Sequence, residues 1–198
     1  VSGGRLNVAV ISAGDYFLPR LLVEFIGRHH GVTLNFTVHN REGLLAHLAA
    51  NRTDLAIMAR PPSDQDTVAE PFAPHPYVIV AAPSHPLARQ EGRVGVESLR
   101  PFDFIVREDG SGTRAAMQGF FDDARMEPHV VMEMSSNETI KQAVIADMGL
   151  SFLSLHTLQR LRSSAMPAPP RSPRPLPRPP PRLLPLFLRL PSTSSVRL

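Results

Sequence analysis

Alternation between two spacings of apolar residues is the feature that most restricts the fold of this chain. Residues 6–11 alternate apolar and polar side chains, as a β-strand with one buried face does. Over residues 18–26 the apolar positions recur three and four apart, which predicts one face of a helix. Because Pro19 is tolerated only in a first turn, this helix is expected to begin near residues 16–18.

The same alternation continues to residue 59. "VTLNFTV" predicts a second strand, "REGLLAHLAANR" a short helix, and "DLAIMA" a third strand. The third strand is almost entirely apolar, which is typical of a parallel strand covered on both faces. Residues 6–59 therefore predict the order β-α-β-α-β, which is half of a doubly wound parallel sheet.

A second α/β block of similar build follows. Strands are predicted at "YVIVAA", "FDFIV", "HVVMEM" and "LSFLSL", and helices at "GTRAAMQGFFDDA" and "SSNETIKQAVIADMG". In the last helix Ser135 and Glu138 predict a capping box, Met148 belongs to the apolar face, and Gly149 ends the helix. We expect two α/β lobes, with the chain crossing between them near residues 80–83 and 154–156.

The last part of the chain breaks the pattern. Eleven of the 21 prolines and six arginines follow Ala165, and no acidic residue follows Asp147. A run so rich in proline is typical of polyproline II or disorder. A ligand for a proline-recognising module, a basic tail that touches nucleic acid, and a shifted reading frame in GC-rich coding DNA are all open. The abrupt change in composition favours the shifted frame.

Several classes of chemistry are disfavoured by composition. The chain has no cysteine, so disulfides and thiolate metal sites are excluded. None of its eight histidines follows metal-ligand spacing on a helix, and no G-x-S-x-G elbow is present. No run of about 18 apolar residues and no signal peptide is recognised, so a soluble, cytoplasmic protein is expected. Because the metal-binding and nucleophile motifs are missing, we expect it to be no enzyme and to hold no metal or cofactor.

The stretch "REDGSGTR", residues 107–114, has the composition of an anion-holding loop. It follows a strand and opens a helix, where free backbone N–H groups and the helix dipole favour negative charge. It matches neither a Walker A loop nor G-x-G-x-x-G, because Ala115 stands at the third glycine position. The alternative is an ordinary turn capped by Thr113. Two other strand-to-helix turns, at Ser12 and Asn137, are similar and predict a shared cleft.

Five stretches together resemble the effector-binding domain of LysR-type transcriptional regulators. They are "NVAVISAGDYFLPRLLVEF", "VTLNFTVHNREGLLAHLAANRTDLAIMARPP", "YVIVAAPSHPLA", "FIVREDGSGTRAAMQGFF" and "MEMSSNETIKQAVIADMGLSFLS". The likeness covers residues 5–156 and is greatest to regulators of Calvin-cycle (RuBisCO) operons. It implies a type 2 periplasmic-binding-protein-like fold of two Rossmann-like lobes with a hinge. The implied boundaries are 5–80 plus about 155–164 for lobe I and 81–154 for lobe II, followed by an aberrant tail, 165–198.

The resemblance also implies an effector site in the cleft between the lobes. The residues it brings to the cleft are Ser12, Ala13, Gly14, Asn40, Arg41, Met58, Arg60, Arg107, Glu108, Ser136, Asn137 and Ser154. The Calvin-cycle group is thought to sense phosphorylated sugars and nucleotides, so an anionic effector is expected. The elements that normally follow Thr157 in the family are replaced here, so the first lobe is expected to be incomplete at its C-terminal side.

Three classes of function are weighed. A ligand-sensing domain of a regulator is favoured over a solute-binding protein of a transport system, which shares the fold, and over an α/β enzyme. DNA contact is expected only through an N-terminal helix-turn-helix outside this chain. The family pairs effector domains, so a homodimer or tetramer is expected through the helices 17–28 and 113–124. Phe120 and Phe121 are adjacent, which predicts that one of them faces a partner.

Overall fold

A computed structural model describes residues 3–90 and 94–158 and the backbone of 184–186. Its helices are α1 (Leu18–Arg28), α2 (Arg41–Ala49), α3 (Gly112–Asp123) and α4 (Asn137–Ile145). Its strands are β1 (Gly4–Ile11), β2 (Val32–His39), β3 (Leu55–Ile57), β4 (Tyr77–Ala81), β5 (Asp103–Arg107), β6 (His129–Met134), β7 (Ser151–Ser154) and β8 (Leu184–Leu186). The element order agrees with the predicted alternation of strands and helices.

The first sheet is parallel and has the order β2-β1-β3 among the described residues. β1 pairs with β2 along all of its length and with β3 over three residues. The prediction that the third strand is covered on both faces is wrong, because β3 lies at an edge of the described sheet and Leu55 is 48% exposed. A short apolar run does not distinguish a central strand from an edge strand.

The second sheet is mixed. β4 pairs antiparallel with β7, and β5 pairs parallel with β6. A parallel bridge between Phe104 and Leu150 joins these two pairs, and the Ile105 N–H donates to the Leu150 carbonyl at 2.8 Å. We call the part built on the first sheet the first lobe and the part built on the second sheet the second lobe.

Apolar residues of the second sheet alternate between its two faces. Phe104 and Val106 of β5 belong to one cluster of buried side chains, and Ile105 belongs to the other. α3 covers the first face with Met117 and Phe121, while α4 covers the second face. The period of two in the strands and of about 3.6 in the helices thus places both helices against one sheet.

Helix ends differ from the predictions by one to three residues. The cap of α4 is Ser136, whose hydroxyl accepts from the Thr139 N–H at 3.3 Å, so the capping box of Ser135 with Glu138 is wrong. α4 ends at Ile145, which leaves Met148 beyond the helix and exposed. The N-cap position of α3 is Ser111, and the predicted cap Thr113 lies inside the first turn. α1 begins at Leu18 with proline in its first turn, as predicted.

Phe120 and Phe121 pack against one cluster of the same chain, and contact of one of them with a partner stays a prediction. Phe121 is fully buried, and Phe120 is half-buried against the same cluster. The two rings meet edge to face with centroids 5.0 Å apart, and Phe120 also lies 5.9 Å from Phe152. The aromatic cluster that packs on α3 is wide enough to contact two rings at adjacent positions of the helix. A narrower apolar face would contact only one of them.

The two crossings between the lobes run side by side. Tyr77 at the start of β4 is opposite Ser154 at the end of β7. The predicted boundary between residues 80 and 81 therefore falls inside β4, and the boundaries of the lobes stay predictions. Among the residues that the structure describes, no helix is both long and apolar enough to cross a bilayer.

Most of the predicted tail, 165–198, lies outside the described residues. Its described part, Leu184–Leu186, pairs antiparallel with β4 as an edge strand. Pro185 stands opposite Val80. A proline has no backbone N–H to donate, and an edge position is one of the few places in a sheet that tolerates this loss.

Candidate functional site

The carboxyl ends of strands from both lobes meet at one cleft. Ser12 follows β1 and Asn40 follows β2 in the first lobe. Arg107 ends β5 and Asn137 begins α4, which follows β6, in the second lobe. This agrees with the rule that open α/β sheets bring their ligand sites to the carboxyl ends of the strands.

Arg107 is the central polar residue of this cleft and is only 3% exposed. One terminal nitrogen of Arg107 donates to the Ser12 hydroxyl at 3.0 Å and to the Asn137 carbonyl oxygen at 2.8 Å. Its other two nitrogens donate to the carboxylate of Glu108 at 2.7 and 2.9 Å. Most N–H groups of the guanidinium therefore donate to other groups of the protein. Through its bond to Ser12, the guanidinium also joins the two lobes.

Asn40 makes a second connection between the lobes. Its side-chain oxygen accepts from the Gly43 N–H at 2.9 Å and caps α2, while its amide nitrogen donates to Glu108 at 3.4 Å. Close by, the Glu42 N–H donates to the Gly110 carbonyl at 3.2 Å. Gly110 has a φ of +74°, and a Cβ there would lie 2.4 Å from a carboxylate oxygen of Glu42. The positive φ favours glycine here, and a larger residue would also displace the Glu42 side chain.

Arg41 brings a cation to the first-lobe side of the cleft. Its guanidinium donates to the carbonyl of Arg60 at 2.5 Å and lies 4.0 Å from the sulfur of Met58. Met58 and Arg60 thus contact the guanidinium of Arg41, and neither of them is part of the pocket lining. The side chain of Arg60 is exposed.

A small pocket forms where these turns meet. Its lining residues are Ile11, Ser12, Ala13, Asn40, Arg41, Tyr77, Ser111, Gly112 and Thr113. No carboxylate is among them, whereas Arg41 supplies a positive charge. Burial raises the pKa of Tyr77 to about 12 although the cations of Arg60 and Arg41 act in the opposite direction, so the Tyr77 hydroxyl stays protonated and neutral.

The structure brings four of the twelve predicted residues to the pocket lining: Ser12, Ala13, Asn40 and Arg41. Arg107, Glu108 and Asn137 form the polar network beside the pocket. Gly14 packs against Val10 below the turn, and Ser136 caps α4. Ser154 is buried at the crossing, where its hydroxyl accepts from the His156 N–H at 3.3 Å.

Sequence reasoning missed part of the lining. Ile11 and Tyr77 had no polar motif to mark them. Ser111, Gly112 and Thr113 belong to the stretch that had the composition of an anion loop, but the resemblance did not place them among the cleft residues. Their position at the start of α3 is the signal that would have added them.

A further contact between the lobes was not predicted. Tyr16 of the first lobe donates to a carboxylate oxygen of Glu138 on α4 at 2.6 Å. Lys141, which is 2% exposed, donates to the same carboxylate oxygen and to the Thr157 carbonyl, and lies over the Tyr16 ring. The sequence shows Lys141 only as a charge on the amphipathic helix α4.

The described residues contain no group of three or more His, Cys, Asp or Glu that is arranged to hold a metal ion. Histidines occur there as close pairs, His39 with His47 and His75 with His156. Neither pair lines the pocket. The chemistry of the lining is hydrogen bonding and charge recognition by hydroxyls, an amide and a guanidinium.

Two α/β lobes with a polar cleft at their strand ends define a ligand-binding domain of the type 2 periplasmic-binding-protein class. The sequence profile of the LysR substrate binding domain matches residues 1–186. The chain therefore belongs to the LysR substrate-binding domain family, and the fold that the resemblance implied is confirmed.

Relatives of known function are transcriptional regulators. The regulator CfxR of Cupriavidus necator is 48% identical over 158 residues, which cover 80% of this chain and 50% of CfxR. The RuBisCO operon transcriptional regulator of Allochromatium vinosum is 43% identical over 159 residues, 80% of this chain and 52% of the relative. The chain thus spans about half the length of these relatives. The likeness to Calvin-cycle regulators is confirmed, and it favours a regulator over a transport protein or an enzyme.

Solved structures agree. The regulatory domain of CcmR from Synechocystis PCC6803, in complex with 2-PG (2-phosphoglycolate), is 37% identical with a TM-score of 0.79. The match covers 93% of this chain and 80% of that chain. The effector-binding domain of QuiR in complex with shikimate is 22% identical with a TM-score of 0.70, over 77% of this chain and 74% of that chain, which shows the fold alone.

Proposed function

We propose that this domain senses a small anionic, phosphorylated metabolite in the cleft between its lobes, as the regulatory part of a LysR-type DNA-binding transcriptional regulator. The observation that carries the proposal is the pocket itself, which is lined by hydroxyls, an amide and Arg41 and by no carboxylate. The complex of the CcmR regulatory domain with 2-phosphoglycolate supports a ligand of this chemistry.

We propose that all twelve predicted residues contribute to this site, in two ways. Those of the lining would contact the ligand. The others would set the geometry of the lining, as Met58 and Arg60 do for Arg41 and as Arg107 and Glu108 do for Ser12 and Asn40. None of these roles needs a bond to be made or broken.

The ligand would act by shifting the relative positions of the lobes. The contacts of Arg107 with Ser12, of Asn40 with Glu108 and of Tyr16 with Glu138 join the lobes close to the pocket. A ligand that binds one arrangement of the lobes more tightly than another shifts the population between them by the difference in its affinity. That shift is the signal that the rest of the regulator would read.

The whole regulator would contact DNA through an N-terminal helix-turn-helix outside this chain, in the cytoplasm. We also propose assembly into a homodimer or tetramer through α1 and α3. α1 supports this because Val23 and Ile26, which are three residues apart and so share one side of the helix, are exposed. Neighbouring large apolar side chains on a surface helix are typical of a contact with a partner.

Titration calorimetry of the 198-residue chain against phosphorylated sugars, nucleotides and 2-phosphoglycolate tests the proposal. Their unphosphorylated counterparts serve as controls. We expect at least one phosphorylated compound to bind and its counterpart to bind more weakly. If no phosphorylated compound binds to the folded chain, the proposed function is wrong.

Arg60→Ala tests the cationic side of the site. The Arg60 guanidinium acts electrostatically on Tyr77 in the pocket, whereas the Arg60 carbonyl that holds Arg41 belongs to the main chain and remains in Arg60→Ala. We expect Arg60→Ala to weaken binding of the phosphorylated compound about tenfold, because it removes a positive charge close to the anionic ligand. Arg52→Ala, a change at an exposed arginine outside the lining, is the matched control. Equal affinities of Arg60→Ala and the parent chain would remove Arg60 from the site.

A further inference from the structure

The start of α3 differs from the starts of α2 and α4. Asn40 and Ser136 cap those two helices with a side-chain oxygen, but Ser111 at the corresponding position of α3 makes no such bond. Ser111 is nevertheless only 4% exposed, and Thr113 in the same turn is 9% exposed. Both residues line the pocket.

Neither hydroxyl has a hydrogen-bond partner within the part of the chain that the structure describes. Among the described residues the fully buried, unpartnered side-chain atoms are His39 Nε2, His75 Nε2 and Ser151 Oγ, so the Ser111 and Thr113 hydroxyls keep some open surface although their residues are buried. Because both residues line the pocket, that surface is accessible to a bound ligand. Two unpaired hydroxyls in one turn of the lining indicate that their partner is such a ligand.

The backbone of this turn points to the same kind of ligand. The first hydrogen bond within α3 runs from the Ala115 N–H to the Ser111 carbonyl at 3.0 Å, so the N–H groups of residues 112–114 precede it and have no partner inside the helix. Gly112 has no side chain to cover them. Together with the helix dipole, these groups favour an anion.

A cation from the other lobe faces this turn. The Cβ and Cδ atoms of Arg41 lie 3.7 Å from the position that a Cβ on Gly112 would take. Two of the neighbouring carboxylates are engaged elsewhere, since Glu108 binds Arg107 and Asp109 accepts from the Gly110 N–H at 2.9 Å. The carboxylate of Glu42 lies beside Gly110, but Glu42 is not part of the pocket lining. Toward the pocket the turn therefore presents donors and positive charge, and no carboxylate lines the pocket there.

We propose that Ser111, Thr113 and the first-turn N–H groups of α3, with Arg41 opposite, form the subsite that holds the phosphoryl group of the effector. The proposal rests on the proposed function and adds the orientation of the ligand: its phosphoryl group lies against α3, and the remainder extends toward Ser12 and Asn40. A phosphoryl group has three terminal oxygens, which is enough to accept from both hydroxyls and from backbone N–H groups together.

Calorimetry with 2-phosphoglycolate, glycolate and inorganic phosphate on the 198-residue chain tests this subsite. The double variant Ser111→Ala, Thr113→Val removes both hydroxyls at nearly constant volume. We expect the affinity of this variant for 2-phosphoglycolate to fall about a hundredfold, which is about tenfold for each hydroxyl. Its affinity for glycolate should change little. Ser151→Ala is the matched control, because Ser151 is likewise a buried residue with an unpaired hydroxyl but lies outside the pocket.

Ser111→Asp separates binding from folding. Aspartate is a favourable helix cap, so this variant should unfold at the same temperature as the parent chain or higher. Its negative charge at the subsite should nevertheless abolish binding of 2-phosphoglycolate. A purely structural Ser111 predicts unchanged binding.

The outcomes distinguish the subsite from the function that it deepens. Loss of the preference for 2-phosphoglycolate over glycolate in the double variant and in Ser111→Asp, with the preference kept in Ser151→Ala, supports the subsite. If the parent chain prefers 2-phosphoglycolate and both variants keep that preference, the subsite is overturned and the proposed function stands. If the parent chain binds none of the phosphorylated compounds, both are overturned.

Discussion

The two lobes have similar elements but differ in how completely they are packed. In the second lobe both faces of the sheet carry a cluster of buried side chains, one under α3 and one under α4. In the first lobe, among the described residues before Tyr77, the buried apolar residues are Val8, Ala9, Val10, Ala13, Leu18 and Leu44. Five large apolar side chains of its helices and strands are exposed, namely Leu21, Val23, Ile26, Val38 and Leu55.

This difference indicates where the stability of the domain lies. Burial of apolar surface is the main favourable term in folding, at about 25 cal/mol per Å². Because both clusters belong to residues 78–158, the second lobe supplies most of that term among the described residues. The first lobe supplies the ends of β1 and β2 to the cleft, and contacts such as Ser12 with Arg107 hold those ends against the better packed partner.

The largest effect is expected from removing a ring in the second lobe. Phe121→Ala would leave a cavity beside Phe104, whose ring centroid lies 5.2 Å away, and should lower the free energy of unfolding by about 3–5 kcal/mol. The matched change in the first lobe, Phe25→Ala on the half-buried face of α1, should cost about 1 kcal/mol. Urea unfolding followed by circular dichroism measures both. Equal losses for the two variants would contradict the difference in packing between the lobes.

Features of this fold that depend on residues close together in the sequence were predictable, whereas features that depend on contacts between distant segments were not. Strands and helices were predictable because the periods of two and 3.6 are local properties of residues such as those of β1 and α1. The edge position of β3 was not, because strand order is set by contacts between distant segments. The cap of α4 was placed one residue early because Ser135 and Ser136 both have the hydroxyl that a cap requires.

The candidate site shows the same limit. Its general position followed from the turns after β1, β2, β5 and β6. Arg107 was expected to meet an anionic ligand, whereas in the structure its donors bind Glu108, Ser12 and Asn137. Ser111 and Thr113 line one pocket together with Asn40 and Arg41 of the other lobe, and no local sequence pattern encodes that approach.

A smaller effect is expected from pH, at the crossing that joins the lobes. Burial, and to a lesser degree the neighbouring His156, lowers the pKa of His75 to about 4. His75 packs against the ring of Tyr77, and His156 bonds to the Pro74 carbonyl at 2.8 Å. The neutral form of His75 is therefore the one that fits the folded chain.

Because the folded pKa lies below the ordinary value of 6.5, this contribution is complete above about pH 6.5 and is lost as pH falls toward 4. We expect a loss of about 2 kcal/mol across that range, allowing for the partial exposure of the ring. His75→Phe should remove this part of the pH dependence, and His30→Gln, a change at an exposed histidine, should keep it. The measurement is the urea midpoint of unfolding between pH 7.5 and 4.5. If the midpoint of His75→Phe depends on pH as steeply as that of the parent chain, His75 is not the source of this pH dependence.

The smallest effect on stability is expected on the exposed face of α1. Val23 is 72% exposed, so Val23→Lys should change the free energy of unfolding by less than about 0.5 kcal/mol. If a second copy of the chain covers Val23 and Ile26, as we propose, the same substitution places a charge in an apolar contact and should favour the monomer. Gln90→Lys, at an exposed position of the second lobe, is the matched control for the added charge. Sedimentation equilibrium at micromolar concentration measures the outcome. A dimer that persists in Val23→Lys, or a parent chain that is monomeric, would mean that the exposed face of α1 is not an assembly surface. The first lobe would then be stable with its weaker packing and without a partner that covers α1.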